Sequence, residues 1–241
     1  MDHIIQISDC HIKNDDDLKK LERIFAKIAQ LEECDALLIT GDICCNPSVD
    51  LYRAFAQTMN KATHISTICA IPGNHDDLGM MAQAFINTPI LIPKELELTE
   101  CQLLFVDSSY KPHSAKMALG SGRVHKQDLE RVKNASHEKA TILVIHHPIF
   151  EVGNSWFRTI GLENRRELAE IVQSNHTIST VICGHGHAFI THQATNTTQI
   201  MAPSTAYGFD HQVAGYQTTE QVGFLSLQVT TDKIAATPIY L

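Results

Sequence analysis

The segment Thr-Ile-Cys-Ala-Ile-Pro-Gly-Asn-His-Asp at positions 67–76 joins a short apolar run directly to a polar turn. The run 67–71 is typical of a buried strand, and the Pro-Gly pair that follows predicts its end. The four residues 73–76 could serve only to form a turn, since Gly, Asn and Asp are common turn residues. They also carry the oxygen and nitrogen atoms that bind metal ions, so this segment alone leaves both interpretations open.

Four other predicted strands end in residues of the same kind. Most would be weak evidence alone, because an Asp after a strand often begins a turn and neighbouring histidines can form a hydrogen-bonded core. The segment 184–187 is stronger, since two imidazoles on a Gly-flanked loop have few structural uses. In α/β proteins, however, ligands bind at the carboxyl ends of the strands. Five such ends in one chain therefore predict a shared metal site. The four further segments are Asp9-Cys10-His11, Gly41-Asp42, His146-His147 and Gly184-His185-Gly186-His187.

The segments between these strands have the apolar spacing of amphipathic helices. Predicted strands and helices alternate up to about residue 198, and only β-structure is predicted beyond it. This alternation is typical of an α/β protein whose helices pack outside its sheets. The chain has 241 residues, and we predict a single domain over 1–241 with a β-rich C-terminal part from about residue 198.

The composition argues against several classes of protein. With 44% apolar residues and a net charge of −8, the chain is neither a disordered protein nor one that coats nucleic acid through a basic face. No apolar run is long enough for a membrane span, and the first residues lack the features of a secretory signal. The seven cysteines are scattered without a C-x-x-C pair, which argues against a disulfide framework and favours a reducing compartment. We therefore expect a cytoplasmic protein.

The five polar segments, in this order, resemble the signature of the calcineurin-like metallophosphoesterase superfamily: D-x-H, G-D, G-N-H-D/E, a histidine after a strand, and G-H-x-H. The resemblance extends from residue 9 to residue 187. It implies an α/β fold, a layered α/β/β/α sandwich of mixed sheets with helices outside, and a pair of divalent metal ions. One ion would be held by Asp9, His11, Asp42 and His187, and the other by Asp42, Asn74, His146 and His185, with Asp42 bridging.

The implied ligands are nitrogen and oxygen atoms without a thiolate, a set that suits Mn, Fe, Zn or Co and does not choose among them. The resemblance implies Fe, Mn or Zn, and we expect Mn or Fe, with Zn or Co as alternatives. Cys10 lies between two of the ligands, and we expect its side chain to face the core. His75 is predicted as a catalytic residue that donates a proton to the leaving oxygen or to a phosphoryl oxygen. Asp76 is predicted to orient the His75 imidazole, and capping of the following helix is the alternative.

Within the superfamily, the chain is similar to the bacterial class III 3′,5′-cyclic nucleotide phosphodiesterases. The similarity lies in its length and in segments outside the metal set, at 104–109, 154–164 and 202–205. It implies a phosphodiesterase that hydrolyses 3′,5′-cyclic nucleotides such as cAMP to 5′-nucleotides by in-line attack of a metal-bridging hydroxide. Trp156 and Phe157 could stack on a purine base or pack their loop onto the core.

Two other functions remain open. One is a phosphodiesterase of broad specificity, or a hydrolase of nucleotide-conjugate or lipid pyrophosphates. The other is a non-catalytic scaffold of the same fold, which the complete set of metal-binding residues argues against. For partners we expect a small-molecule phosphodiester, no stable nucleic-acid partner and no membrane span, and we leave a homodimer open.

Overall fold

A computed structural model describes residues 1–31, 33–62, 65, 67–136, 138–231 and 233–241, with residues 60–62 described by their backbone alone. The helices are α1 (Asp15–Ile28), α2 (Val49–Ala62), α3 (Leu78–Ala84), α4 (Lys126–Asn134) and α5 (Arg165–Ser174), and a 3₁₀ turn spans Phe157–Ile160. The strands are β1 (Asp2–Ile7), β2 (Ala36–Thr40), β3 (Ile68–Ile71), β4 (Ile90–Leu91), β5 (Glu95–Glu97), β6 (Cys101–Val106), β7 (Ala140–Ile145), β8 (Ile178–Cys183), β9 (Ile190–Ala194), β10 (Thr197–Met201), β11 (Gly208–Phe209), β12 (Thr218–Thr219), β13 (Gly223–Val229) and β14 (Ile234–Tyr240).

Within the described residues, the strands form two six-stranded sheets and one small two-stranded sheet. The first large sheet has the order β14-β13-β1-β2-β3-β4, and the second has the order β5-β6-β7-β8-β10-β9. Strands β1, β2 and β3 run parallel, as do β6, β7 and β8, whereas β13 pairs antiparallel with both β1 and β14. The parallel pairs bring the carboxyl ends of neighbouring strands to the same edge of each sheet.

Apolar side chains on the two faces of each strand belong to different parts of the core. Ile5 of β1 packs with helices α1 to α3, whereas Ile4 faces the second sheet. In the second sheet, Leu143 packs with α4 and α5, and Val144 faces the first sheet. Helices therefore cover the outer faces of two stacked sheets, which is the predicted layered sandwich. Both sheets contribute to the layer between them. The assignment of 1–241 to one domain stays a prediction.

The elements that the sequence did not predict are short and lie at edges. Strand β9 is an edge strand whose residues alternate between half-buried and exposed, and β4 has only two residues. Beyond residue 198 the described residues form strands and no helix, as predicted. In the part of the chain that the structure covers, no helix is both long and apolar enough to cross a membrane.

Candidate metal centre

Loops from both sheets meet at the carboxyl ends of the parallel strands. Those after β1, β2 and β3 come from the first sheet, and those after β7 and β8 come from the second. Ligand atoms within 4.8 Å of one another are found in the groups Asp9, His11, His187 and Asp9, Asp42, His146. His185 forms such a group with His146 and His147, and Asn74 Oδ1 lies 3.2 Å from His146 Nε2. The structure thus brings all seven predicted ligands into one cluster.

The Asp42 carboxylate lies in the middle of this cluster. Its Oδ2 atom is 3.7 Å from His11 Nε2 and 3.5 Å from His146 Nε2, and the side chain is almost fully buried. Asp9 Oδ1 is 3.3 Å from His187 Nε2. Asp42 Oδ2 therefore lies between His11, a predicted ligand of the first metal ion, and His146, a predicted ligand of the second.

Backbone carbonyls fix the tautomers of three of these histidines. Each carbonyl accepts a hydrogen bond from one ring nitrogen, so that nitrogen carries the proton and the lone pair of the other faces the cluster. Such an arrangement is typical of histidines that bind metals. The bonds are His146 Nδ1 to Thr40 O (2.7 Å), His187 Nδ1 to Tyr207 O (2.8 Å) and His185 Nε2 to Ile160 O (2.8 Å).

His11 differs from the other histidines in the partner of its far ring nitrogen. Its Nδ1 atom lies 3.4 Å from the thiol sulfur of Cys45 instead of a carbonyl oxygen. Its Nε2 atom faces His187 Nε2 at 3.0 Å. Two imidazole nitrogens approach this closely only if a proton or a cation lies between their lone pairs.

One buried oxygen of the cluster has no hydrogen-bond donor. Among the described residues, no group donates to Asp9 Oδ1, and Asp9 is fully buried. A buried carboxylate oxygen without a donor or a cation is costly. Together with the histidine lone pairs that face the same space, this oxygen shows that the residues present fit divalent cations.

The charges of the cluster also suit metal binding. Burial acts to raise the pKa of the Asp42 carboxyl, but the imidazoles of His146 and His11 hold it well below its usual range. Burial lowers the pKa of His11 to about 4 and that of His185 to about 3, so both rings are neutral. Burial also opposes charge on His146, but Asp42 raises the pKa of this ring to about 9. His146 therefore carries a second proton on Nε2 in the absence of a metal, and a metal ion would replace this proton and use the lone pair that it leaves.

Most of these residues have an unfavourable backbone conformation. Five of the seven predicted ligands have positive φ angles although they are not glycine. A left-handed backbone at such a residue destabilises the folded state by about 1–3 kcal/mol. Strain of this kind is concentrated at functional sites. The angles are 55° for Asp9, 46° for His11, 52° for Asp42, 69° for His185 and 50° for His187.

A glycine allows two of the loops to approach each other. Gly41 has a φ of 94°, and a Cβ atom there would lie 2.6 Å from His146 Nδ1 and from Gly73 N. A larger residue at position 41 would therefore displace His146.

The comparisons with known proteins agree with this site. A family model described as Calcineurin-like phosphoesterase matches residues 3–189, a span that contains every loop of the cluster. The chain belongs to the calcineurin-like phosphoesterase family. Membership implies a dinuclear divalent metal centre, which the Asp and His groups described above could hold.

Relatives of this calcineurin-like phosphoesterase are similar over most of its length. A probable cyclic nucleotide phosphodiesterase of Vesicomyosocius okutanii is 27% identical over 221 residues, which is 87% of this chain and 88% of that protein. The 3′,5′-cyclic adenosine monophosphate phosphodiesterase CpdA of Vibrio vulnificus is 28% identical over 220 residues, covering 86% and 77% of the two chains. A dimetal phosphatase from Danio rerio has the same fold, with a TM-score of 0.67 over 98% of this chain and 95% of that one at 12% identity. The predicted family, fold class and enzyme class, a metal-dependent phosphodiesterase, are confirmed.

His75 lies at the open side of the cluster. Its side chain is exposed, its backbone N–H donates to Asp42 Oδ1 at 2.9 Å, and its ring meets the His11 ring edge-on at 5.0 Å between centroids. The ring therefore stands beside the predicted ligands and in contact with solvent, where a substrate would enter.

Asp76 has contacts that differ from both sequence interpretations. Among the described contacts, its carboxylate does not meet the His75 ring, and helix α3 is capped by Asp77, whose Oδ1 accepts from Met80 N at 2.8 Å. The Asp76 carboxylate instead ties the loop after β2 to the loop after β3. It accepts hydrogen bonds of 2.8–3.2 Å from the backbone N–H groups of Ile43, Cys44 and Gly73 and from the Tyr52 hydroxyl.

Asp76→Ala is expected to destabilise the protein by about 3 kcal/mol or more, because it leaves several buried donors without an acceptor. Asp77→Ala removes only a helix cap and is expected to cost about 1 kcal/mol. Urea unfolding of the two variants measures the difference. Equal losses of unfolding free energy in Asp76→Ala and Asp77→Ala would contradict the role of Asp76 in joining the two loops.

Aromatic side chains at the mouth of the site were largely missed by the sequence analysis. A cavity of about 480 Å³ opens above the cluster and is lined by Trp156, Tyr207, Phe209 and Tyr216 as well as by predicted ligands. The only signal was three aromatic residues within 207–216. Phe157 is buried in the core, so it packs its loop onto the core and does not stack on a base. Cys10 is also buried in the core, as predicted.

Proposed function

We propose that this protein hydrolyses 3′,5′-cyclic nucleotides such as cAMP to 5′-nucleotides with two divalent metal ions. The observation that carries the proposal is the buried cluster of carboxylates and histidine lone pairs beneath an open cavity. The relatives named as cyclic nucleotide phosphodiesterases support the choice of substrate. The first ion would be held by Asp9, His11, Asp42 and His187, and the second by Asp42, Asn74, His146 and His185.

The bound metal pair would neutralise phosphoryl oxygens and lower the pKa of a water molecule, so that a hydroxide is available to attack phosphorus. The residues of the chain would hold the metal ligands in position and supply a proton. The carbonyl of Tyr207 and the other carbonyl partners keep the histidine lone pairs directed at the site, and Asp76 keeps the two ligand loops together. His75, exposed at the mouth, would donate a proton to the 3′ oxygen as its bond to phosphorus breaks.

We also propose a cytoplasmic enzyme whose partner is a small molecule. All seven cysteines are free thiols, as in a reducing compartment. The net charge of −8 would disfavour a stable complex with nucleic acid. Whether the protein forms a homodimer stays a prediction.

The test is product analysis after incubation with Mn²⁺ and 3′,5′-cAMP. We expect metal-dependent formation of 5′-AMP, at a rate at least about 10-fold above that of 2′,3′-cAMP, bis-p-nitrophenyl phosphate and a nucleotide diphosphate conjugate. Comparable rates on all four compounds would favour a phosphodiesterase of broad specificity. Absence of turnover on every compound, with metals bound, would favour the scaffold.

A further inference from the structure

Four aromatic residues form a continuous surface that starts at the metal cluster and reaches solvent. We call Trp156, Tyr207, Phe209 and Tyr216 the aromatic wall. The Phe209 ring stacks on the His187 ring, with centroids 4.1 Å apart and planes inclined by 13°. Trp156 meets Phe209 at 5.2 Å and Tyr216 at 4.8 Å, both edge to face. The inner end of the wall is thus fixed against a predicted metal ligand.

A buried asparagine joins the two loops that carry the wall. Asn154 Nδ2 lies within hydrogen-bond distance of three carbonyl oxygens of the second loop, and its Oδ1 accepts from Phe157 N at 2.8 Å. Trp156 and Tyr216 are therefore held together before any ligand binds, which lowers the entropy cost of binding. The three carbonyls belong to Asp210 (3.2 Å), Val213 (2.8 Å) and Gly215 (3.1 Å).

The outer part of the cavity is apolar and open to solvent. Tyr216 is 59% exposed, and Leu119, which lines the same cavity, is 98% exposed. The loop of Leu119 is held in place because the buried His147 donates from Nε2 to Gly120 O at 3.1 Å. Exposed apolar groups concentrated around a polar site are typical of ligand-binding surfaces.

The residues that line the cavity also argue against a second phosphate group in the ligand. Among the described residues that line this cavity, none is Lys or Arg. A second phosphate group would extend beyond the metal cluster and would need such a cation. A single phosphodiester attached to a neutral, flat ring satisfies both the metal cluster and the uncharged wall.

We infer that the aromatic wall is a nucleobase subsite, on which the base stacks while the phosphate lies at the metal cluster. The inference rests on the proposed function for its choice of a nucleotide as the ligand. Stacking of a base on an aromatic side chain contributes enough to change affinity by about 10-fold or more. The subsite would therefore discriminate nucleotides from sugar phosphates that have no base.

The only tryptophan of the chain is Trp156, so its fluorescence reports directly on the wall. The experiment titrates the metal-loaded enzyme with 5′-AMP and with ribose 5-phosphate, by fluorescence and by calorimetry. We expect 5′-AMP to quench the emission and to bind at least about 10-fold more tightly than ribose 5-phosphate, which leaves the emission unchanged.

Two tyrosine variants separate the subsite from general effects on the protein. Tyr216→Ala is expected to weaken 5′-AMP binding about 10-fold and to leave ribose 5-phosphate binding unchanged. The matched control is Tyr240→Ala, which removes a partly exposed tyrosine of β14 and should change neither affinity. Equal affinity of the two ligands, or equal weakening of both by Tyr216→Ala, would overturn the subsite.

The outcomes distinguish this inference from the proposed function. If 5′-AMP quenches Trp156 but 3′,5′-cAMP is not hydrolysed, the subsite is supported and the proposed reaction fails. If 3′,5′-cAMP is hydrolysed while 5′-AMP and ribose 5-phosphate bind equally well, the reaction is supported and the subsite is overturned.

Discussion

Asp42→Asn is expected to lower the rate of cAMP hydrolysis by about 10³-fold and to reduce the metal content of the purified protein. The Asp42 Oδ2 atom lies within 3.7 Å of His11 Nε2 and 3.5 Å of His146 Nε2. It is therefore the oxygen best placed to serve both ions. An amide oxygen has no formal charge, so it would bind each of two neighbouring cations weakly.

The substitution is designed to change charge without changing the fold. Asn has nearly the same size as Asp, and it tolerates a left-handed backbone such as the φ of 52° at position 42. Elemental analysis by mass spectrometry gives the metal content, and circular dichroism reports on folding. The matched control is Asp50→Asn at the start of α2, where the side chain is 94% exposed. A normal rate with two ions per chain in Asp42→Asn would exclude Asp42 as the bridging ligand.

One geometric rule predicts from the sequence that polar residues at the ends of neighbouring strands converge, whereas the assignment of individual ligands came from the resemblance to the metallophosphoesterase signature. Parallel strands end at the same edge of a sheet, so residues that directly follow strands, such as Asp9, Asp42 and Asn74, must come together. Spacing within a loop added a second constraint, because His185 and His187 are separated by a single glycine. These constraints act within one sheet or one loop, and the stacking of the two sheets brings the two groups of residues together.

The features that the sequence did not reveal depend on contacts between distant loops. Asp76 joins two ligand loops through backbone N–H groups, which have no signature in the identity of the residues that carry them. Tyr216 and Trp156 are 60 positions apart and meet where hydrogen bonds join their two loops, among them those from Asn154 Nδ2 to Val213 O and from Ser155 Oγ to Ala214 O. The segment that carries Tyr216 shows neither helical nor strand periodicity, so its place at the mouth of the site could not be predicted.

His75 and Asp76 were both predicted to act in catalysis, but the contacts of their side chains differ. The exposed ring of His75 faces the cavity, whereas the Asp76 carboxylate is engaged by the loop after β2. Neighbours in sequence thus lie on opposite sides of the loop. Within this segment, only His75 has a side chain that a substrate could contact as an acid.

His75→Ala is expected to affect substrates according to their leaving groups. The 3′ oxygen of cAMP is a strongly basic alkoxide that must be protonated as it leaves, so its hydrolysis should slow by about 10²–10⁴-fold. The p-nitrophenolate of bis-p-nitrophenyl phosphate is a stable anion that leaves without a proton. Its release should slow by less than about 10-fold. Parallel steady-state kinetics on the two substrates measure this difference.

Two controls connect the difference to the imidazole itself. His176→Ala removes an exposed histidine that precedes β8, at the opposite end of that strand from the metal cluster, and should leave both rates unchanged. Metal content should stay at two ions per chain in His75→Ala, because the proposed ligand sets do not include His75. Added imidazole should restore part of the cAMP activity of His75→Ala by supplying the missing acid. Equal losses on the two substrates, without restoration by imidazole, would show that His75 positions the substrate and does not protonate the leaving oxygen.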